Sequence, residues 1–263
     1  MTATLKASAL PLPLFRRGKV REVYEVDDQR LLIVTSDRIS AFDVVLADAI
    51  PHKGRVLTQV SAHWFAKLSA IVPSHFITVN TDEIVAAVPS LDGYRDQIEA
   101  RSMLVRRTEP VAFECVVRGY LTGSAWLEYQ QGGTLAGEPL PAGMLNASRL
   151  EPPLFSPATK AVSGHDENVS FERMSAELGD DLAGRLREIS LALYAAGRNE
   201  AAARGLIIAD TKFEFGLDSS GEPLLIDEVL TPDSSRFWLA CLVRQAAAPG
   251  LARRRTPGGA LER

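Results

Sequence analysis

In the stretch IADTKFEFG, residues 208–216, Asp210, Lys212 and Glu214 fall at every second position. A β-strand alternates its side chains between two faces, so these three share one face while Thr211, Phe213 and Phe215 point the other way, toward a core. A second run, PLLIDEVL, follows after Asp218-Ser219-Ser220-Gly221. If those four residues close a hairpin, Lys212 stands opposite Asp227 and Glu214 opposite Leu225. A slip of one residue presents Glu228 instead. Two or three carboxylates converging with one lysine suit an oxygen-ligated Mg²⁺ that also holds substrate phosphates. The alternative is a solvated face of an antiparallel hairpin. Against it, LLIDEV sets its carboxylates among strongly apolar residues.

Three further groups of residues carry chemistry less sharply. Gly18-Lys19-Val20-Arg21 begins a hairpin; its glycine admits close backbone approach, and Lys19 and Arg21 share a strand face, as a loop over a polyphosphate would need. It contains neither GxxxxGK[ST] nor GxGxxG, so it is not a P-loop or a dinucleotide fingerprint. Arg118 ends the run VAFECVV, ahead of GYLTGS, and Arg236 lies in PDSSRFW; arginines beside Gly, Ser and Thr donors suit a phosphate or carboxylate clamp. The loop KAVSGHDENVS gathers Lys160, His165, Asp166, Glu167 and Asn168, groups that fit a small polar substrate. The bland readings are surface basic residues, strand-end ion pairs and an ordinary polar loop. No Ser-His-Asp or Cys-His order is present, so nucleophilic hydrolysis has no support.

The elements that must position these groups follow from periodicity. A hairpin spans 18–36, with a turn at Asp27-Asp28-Gln29, and FDVVL, 42–46, reads as a strand. A helix over 56–70 places Val56, Val60, Trp64, Phe65 and Leu68 on one face. Strand-like runs occupy 75–79, 102–107 and 111–118. A helix over 122–130 takes Thr122 or Ser124 as its cap, and Ser170 caps another over 171–178. Pro- and Gly-rich stretches at 132–143 and 151–157 read as loops. A longer helix runs from Asp181 to Arg204, with an apolar stripe of Leu182, Leu186, Ile189, Leu193 and Tyr194, and Gly205 stops it. Hairpins in place of regular βαβ units argue for an α+β fold.

The chain has 263 residues, 46% hydrophobic and 24% charged, ordinary values for a globular protein. Its net charge of −4 is uneven: residues 239–263 hold five Arg against one acid, a net +4, leaving −8 on the rest. An acidic body argues against nucleic-acid binding. No apolar run reaches the length of a membrane span, and the N-terminus lacks a secretory signal. Cys115 and Cys241 stand outside any CxxC or Cys/His cluster and suit small buried residues in a reduced, cytoplasmic setting.

GKVREVYEV, TSDRISAFDVVL, VVRGYLTGSAW, GHDENVS, ADTKFEFG and LIDEVLTPDSSRFW occur in this order. Together they resemble the SAICAR synthetase family of purine biosynthesis over roughly residues 12–238. The resemblance implies a two-lobe α+β fold related to ATP-grasp and protein-kinase lobes. A β-rich ATP-covering lobe takes 1–110, and a mixed substrate and metal lobe takes 111–238. It implies an ATP-dependent ligase that joins the carboxylate of CAIR, an aminoimidazole ribonucleotide, to the amine of L-aspartate, through an acyl phosphate, with Mg²⁺. It also implies roles. Lys19 and Arg21 lie over the ATP phosphates. Glu214 and Asp227 ligate Mg²⁺. Lys212 sits near the phosphates with Asp210 supporting its strand. Arg118, Ser124 and Arg236 bind CAIR. Lys160 and the Asp166–Asn168 loop border CAIR and aspartate. The adenine lies near 106–114, with Glu114 as a partner. The residues after Trp238 do not match the family's ending and read as an atypical basic tail, 239–263, of the kind a reading-frame change produces. A homo-oligomer is left open. Two other functions compete: a kinase-like phosphotransferase, which the absence of HRD and DFG motifs opposes, and a non-catalytic nucleotide-binding protein.

Overall fold

The computed structural model describes residues 4–41, 44–159 and 167–247. Lys160 and Asp166, with the rest of 160–166, lie outside the described residues, as do residues 42–43 and 248–263. The fold is α+β, and all pairings between its strands are antiparallel among the described residues.

The first sheet has five strands in the order Leu14–Arg17, Arg21–Glu25, Arg30–Thr35, Ser102–Arg106 and Phe76–Thr78. The hairpin expected over 18–36 forms its centre, with Glu25 opposite Leu31. Helix Lys53–Leu68 lies against it. The buried positions of that helix are Gly54, Leu57, Thr58, Ser61, Trp64, Phe65 and Leu68. Val56, expected on the buried stripe, is exposed. The true stripe includes small polar residues that hydropathy does not mark, and Gly54 is there because a Cβ would meet the Thr35 carbonyl oxygen at 2.2 Å.

The second sheet is built on two twelve-residue strands, Glu109–Tyr120 and Leu206–Leu217, paired from Asp210 opposite Arg118 to Leu217 opposite Glu109. Strands Pro223–Ile226 and Ser235–Leu239 both pair with Leu206–Leu217. Strands Ala158–Thr159 and Arg149–Phe155 both pair with Glu109–Tyr120. The last of these corrects the loop expected at 151–157. Its two prolines fall where the register shifts between Arg149 and Leu154, on a strand with one paired side, where a missing N–H is tolerated. Helix Asp180–Ala202 covers one face of the sheet with Leu186, Leu193 and Tyr194. Phe213 and Phe215 are fully buried beneath it, each worth about 2–3 kcal/mol of burial. Gly119 leaves the space that the Tyr194 hydroxyl fills on its way to the Ile208 carbonyl, 2.7 Å. The opposite face of the same strands is left for the charged residues.

A single buried cluster runs from Ile33 and Met103 of the first sheet through Phe213 and Leu225 of the second. The junction is fixed by backbone: Leu225 N donates to Pro73 O at 3.0 Å, and His75 N donates to Leu225 O at 3.0 Å. Among the described residues no helix is long and apolar enough to cross a membrane. Cys115 is buried as expected; Cys241 is exposed.

Candidate active site

Alternation along Leu206–Leu217 puts Asp210, Lys212 and Glu214 on the face away from the buried phenylalanines, as period 2 requires. The neighbouring strands bring charged partners to them. Asp210 stands opposite both Arg118 and Arg236, and Glu214 stands opposite Glu114. Two sites result, one at each end of this row.

The first is a cleft of about 430 Å³, lined among others by Arg118, Ser124, Asn168, Lys212 and Arg236. Arg118 is only 4% exposed and spends its fork on four partners. Its Nε donates to Ser156 Oγ (2.8 Å), Nη1 to Asp210 Oδ2 (3.2 Å), and Nη2 to both Ser124 Oγ and Asn168 Oδ1 (3.1 Å each). Asp210 Oδ2 also accepts from Arg236 Nη1. Burial pushes the Arg118 guanidinium below its usual range, Asp210 opposes that, and Arg236 adds to it. A buried arginine beside a second arginine, with one carboxylate between them, is a ready anion site. Ser124 does not cap its helix: Gly123 holds the cap position of Ser124–Gly132, and the serine hydroxyl turns to Arg118. Gly123 has φ +59°, and a Cβ there would sit 2.6 Å from Arg236 Nη2. Lys212 Nζ donates to Glu114 Oε1 at 2.7 Å. Glu114 is buried and lines this same cleft.

The second site is a group of carboxylates. Arg21 Nη2 lies 2.8 Å from Asp227 Oδ2 and 3.1 Å from Glu228 Oε1. The expected register is off by one: Glu214 pairs with Ile226, not Leu225. The turn holds one residue fewer than expected, because Asp218 N still donates to Glu222 O, and Gly221 at φ +82° closes a three-residue loop. The strand ends at Ile226, and Asp227 takes φ +66°. That turn lets two consecutive carboxylates, Asp227 and Glu228, face one guanidinium. Glu228 is held from behind by Thr231 Oγ1 at 2.5 Å. Burial, and then Glu214 and Glu228, push the Asp227 carboxyl up to about 7 against the pull of Arg21 and Lys212.

Among the described residues no three His, Cys, Asp or Glu form a ready-made metal cage. The donor chemistry nevertheless fits Mg²⁺, which is commonly held by one or two carboxylates plus substrate phosphates. Glu214 and Asp227 could supply such carboxylates, and burial, with the neighbouring carboxylates, raises Asp227 above its ordinary range.

Sequence reasoning missed Ser156, Glu128, which accepts from Asn168 Nδ2 at 2.9 Å, and the Lys53–Asp233 pair beside the cleft. Isolated polar residues in dissimilar segments carry no spacing signal. His75 is also buried, with Nε2 lacking a partner, and burial and then Arg106 lower its pKa to about 3, so it stays neutral.

Comparison with known proteins identifies the family. The SAICAR synthetase family model matches residues 14–249. A phosphoribosylaminoimidazole-succinocarboxamide synthase of Syntrophotalea carbinolica is 53% identical over 238 residues, 90% of this chain and 79% of that protein. One from Cupriavidus metallidurans is 51% identical over 239 residues, 90% and 78%. Among solved structures, the SAICAR synthase of Saccharomyces cerevisiae complexed with SAICAR superimposes with a TM-score of 0.85 at 43% identity, covering 90% of this chain and 80% of that one. A SAICAR synthetase in complex with ADP superimposes with a TM-score of 0.68 at 25% identity, covering 86% and 84%. This chain belongs to the SAICAR synthetase family.

Proposed function

We propose that the two ends of the charged row divide the family's reaction between them. The chain is an ATP-dependent carbon–nitrogen ligase: the CAIR carboxylate is joined to the amine of L-aspartate, giving SAICAR, ADP and phosphate. The observation that carries the division is that one strand face, Asp210-Lys212-Glu214, runs from an arginine cleft to a carboxylate group.

Arg118 and Arg236, held by Asp210 and joined by Ser124 and Asn168, take the ribonucleotide phosphate as a fixed handle. Lys160 and Asp166 belong beside this handle by family resemblance. Lys19 and Arg21 lie over the ATP phosphates at the tip of the first hairpin of the structure, formed by Leu14–Arg17 and Arg21–Glu25. Glu214 and Asp227 would hold Mg²⁺, which supplies charge neutralisation at the transferring phosphoryl group. Lys212, oriented by Glu114, stands between the two ends and stabilises negative charge that develops on the substrate carboxylate and the γ-phosphoryl oxygens. A carboxylate is a poor acyl donor because its oxygen leaves badly. Phosphorylation makes an acyl phosphate, the aspartate amine attacks its carbonyl, and phosphate departs. No protein nucleophile is required. These soluble metabolites fit a cytoplasmic enzyme.

The test is ADP release measured with each substrate omitted in turn. Release that requires both CAIR and aspartate supports the ligase. Release at an equal rate without aspartate, with a stable phosphorylated product, supports the phosphotransferase instead.

A further inference from the structure

The tip of the first hairpin is held in a way that the ligand roles above do not explain. Gly18-Lys19-Val20-Arg21 joins Leu14–Arg17 to Arg21–Glu25, with Gly18 N donating to Arg21 O at 2.8 Å. The carbonyl oxygens of three successive residues are each taken by one short segment downstream. Gly18 O accepts from Arg38 Nη2 at 3.2 Å, and Lys19 O accepts from Arg38 Nε at 2.8 Å. Val20 O accepts from both Ser36 N (2.9 Å) and Ser36 Oγ (2.8 Å). The remaining arm of Arg38, Nη1, donates to Lys6 O at 2.5 Å and to Glu22 Oε1 at 2.8 Å. Glu22 is fully buried, and its other oxygen accepts from Ser8 N and Ser8 Oγ.

Hydrogen bonding thus fixes the orientation of the tip. In a trans peptide the C=O of one residue and the N–H of the next lie in one plane and point opposite ways. Turning the Gly18 and Lys19 carbonyls onto Arg38 therefore turns the Lys19 and Val20 amides away from it. It also removes the negative ends of those peptides from the outer side of the loop. Successive amides directed one way form a nest for an anion.

We propose that Arg38 is a positioning residue for nucleotide binding: by clamping the carbonyls of Gly18 and Lys19 it presents the Lys19 and Val20 amides to the phosphates of ATP. The inference rests on the reading that this hairpin tip covers ATP. It requires a planar fork, because a lysine ammonium is a single point that cannot serve two backbone carbonyls, a third carbonyl and a carboxylate together.

Arg38→Lys tests it, since it keeps the charge beside buried Glu22 and removes only the fork. The expected result is a rise of about tenfold in KM for ATP, the size of one lost charge-assisted hydrogen bond. KM for CAIR and for aspartate, and kcat at saturating ATP, stay within about twofold, below one hydrogen bond's worth. Should Arg38→Lys fail to fold, Ser36→Ala removes one of the two bonds to Val20 O with no change of charge, and predicts a smaller rise confined to the same constant. Lys19→Met separates the two layers of the argument. If Lys19→Met raises KM for ATP and Arg38→Lys does not, the clamp is wrong while the loop's role stands. If neither variant moves KM for ATP, both fall. If Arg38→Lys moves all three KM values together with a lower Tm, its role is structural and the proposal is overturned.

Discussion

The two ends of the Asp210-Lys212-Glu214 face handle charge in opposite ways. At the arginine end, two guanidiniums share one carboxylate, and Arg118 makes four hydrogen bonds before any ligand arrives. At the carboxylate end, Asp227 and Glu228 crowd one arginine, and Asp227 is pushed up to about 7. The first end is pre-organised and in surplus of positive charge. The second is in deficit, and under the proposed function a cation would complete it. On that reading preorganisation would let the handle bind the same way throughout the reaction, and the deficit would confine metal to the place where phosphoryl transfer needs it.

The sharpest way to break this contrast is Asp227→Asn. It removes a charged ligand at the deficient end, and turnover at saturating CAIR should fall by about 10³-fold, the loss typical of removing one group that stabilises transition-state charge. Steady-state ADP release over a Mg²⁺ titration checks it; retained Mg²⁺-dependent turnover would show the metal assignment to be wrong. Next is Arg118→Lys, which keeps one charge but loses the fork to Ser156, Asp210, Ser124 and Asn168. A drop of about 10²-fold in kcat/KM for CAIR is expected, from loss of two or so charge-assisted bonds, while KM for ATP is unchanged. An equal change in both constants would mean that the two ends are not separate sites.

Gly123→Ala is milder. Its Cβ meets Arg236 at a φ of +59°, so Arg236 must move, and KM for CAIR should rise about tenfold at nearly constant kcat, as for a single weakened polar contact. A crystal structure of the variant would show whether Arg236 has left Asp210. The smallest effect is on stability against pH. The folded-state pKa of Asp227 lies above its ordinary 3.8, so its contribution is present at low pH and is lost as pH rises from about 4 through about 7. Thermal melts without divalent cation should therefore show Tm declining over that window by a few degrees. Asp227→Asn should flatten the slope, and Mg²⁺ should restore Tm at pH 8. A slope unchanged in Asp227→Asn would assign the deficit to other groups.

The charged row was legible in the sequence because its residues lie in one long β segment, where period 2 fixes the face, whereas Arg118 and Arg236 were assigned to one site only through the family resemblance. Asp210, Lys212 and Glu214 needed only that rule. Their pairing did not follow from it, since hairpin register depends on whether Gly221 closes a loop of three residues or four, a one-residue difference that alternation cannot see. The same limit explains Asp227. Its left-handed backbone lets it and Glu228 serve one arginine together, whereas strand alternation offers only one of them. Arg149–Phe155 was hidden because prolines mark loops more often than edge strands. Helix Lys53–Leu68 turns Trp64, Phe65 and Leu68 inward as expected, but its buried side runs through Thr58 and Ser61 and not Val56, because those two are buried by their size and their partners rather than their hydropathy. Arg38 lies within TSDRISAFDVVL, but nothing local shows what it does: the partners of its side chain lie 16 to 32 residues away and most are backbone oxygens.

Asp210 and Glu214 are four residues apart on one extended strand, so their Cα atoms stand about 13 Å apart at ~3.3 Å per residue. Along this stretch the strand is paired throughout with Glu109–Tyr120, and on its other side with Ser235–Leu239 at Asp210 and Thr211 and with Pro223–Ile226 at Glu214, which holds it extended. It works as a gauge, with one jaw made of arginines and the other of carboxylates. The spacing between the arginine group and the carboxylate group is therefore set first by the backbone, and side chains adjust it only at the two ends.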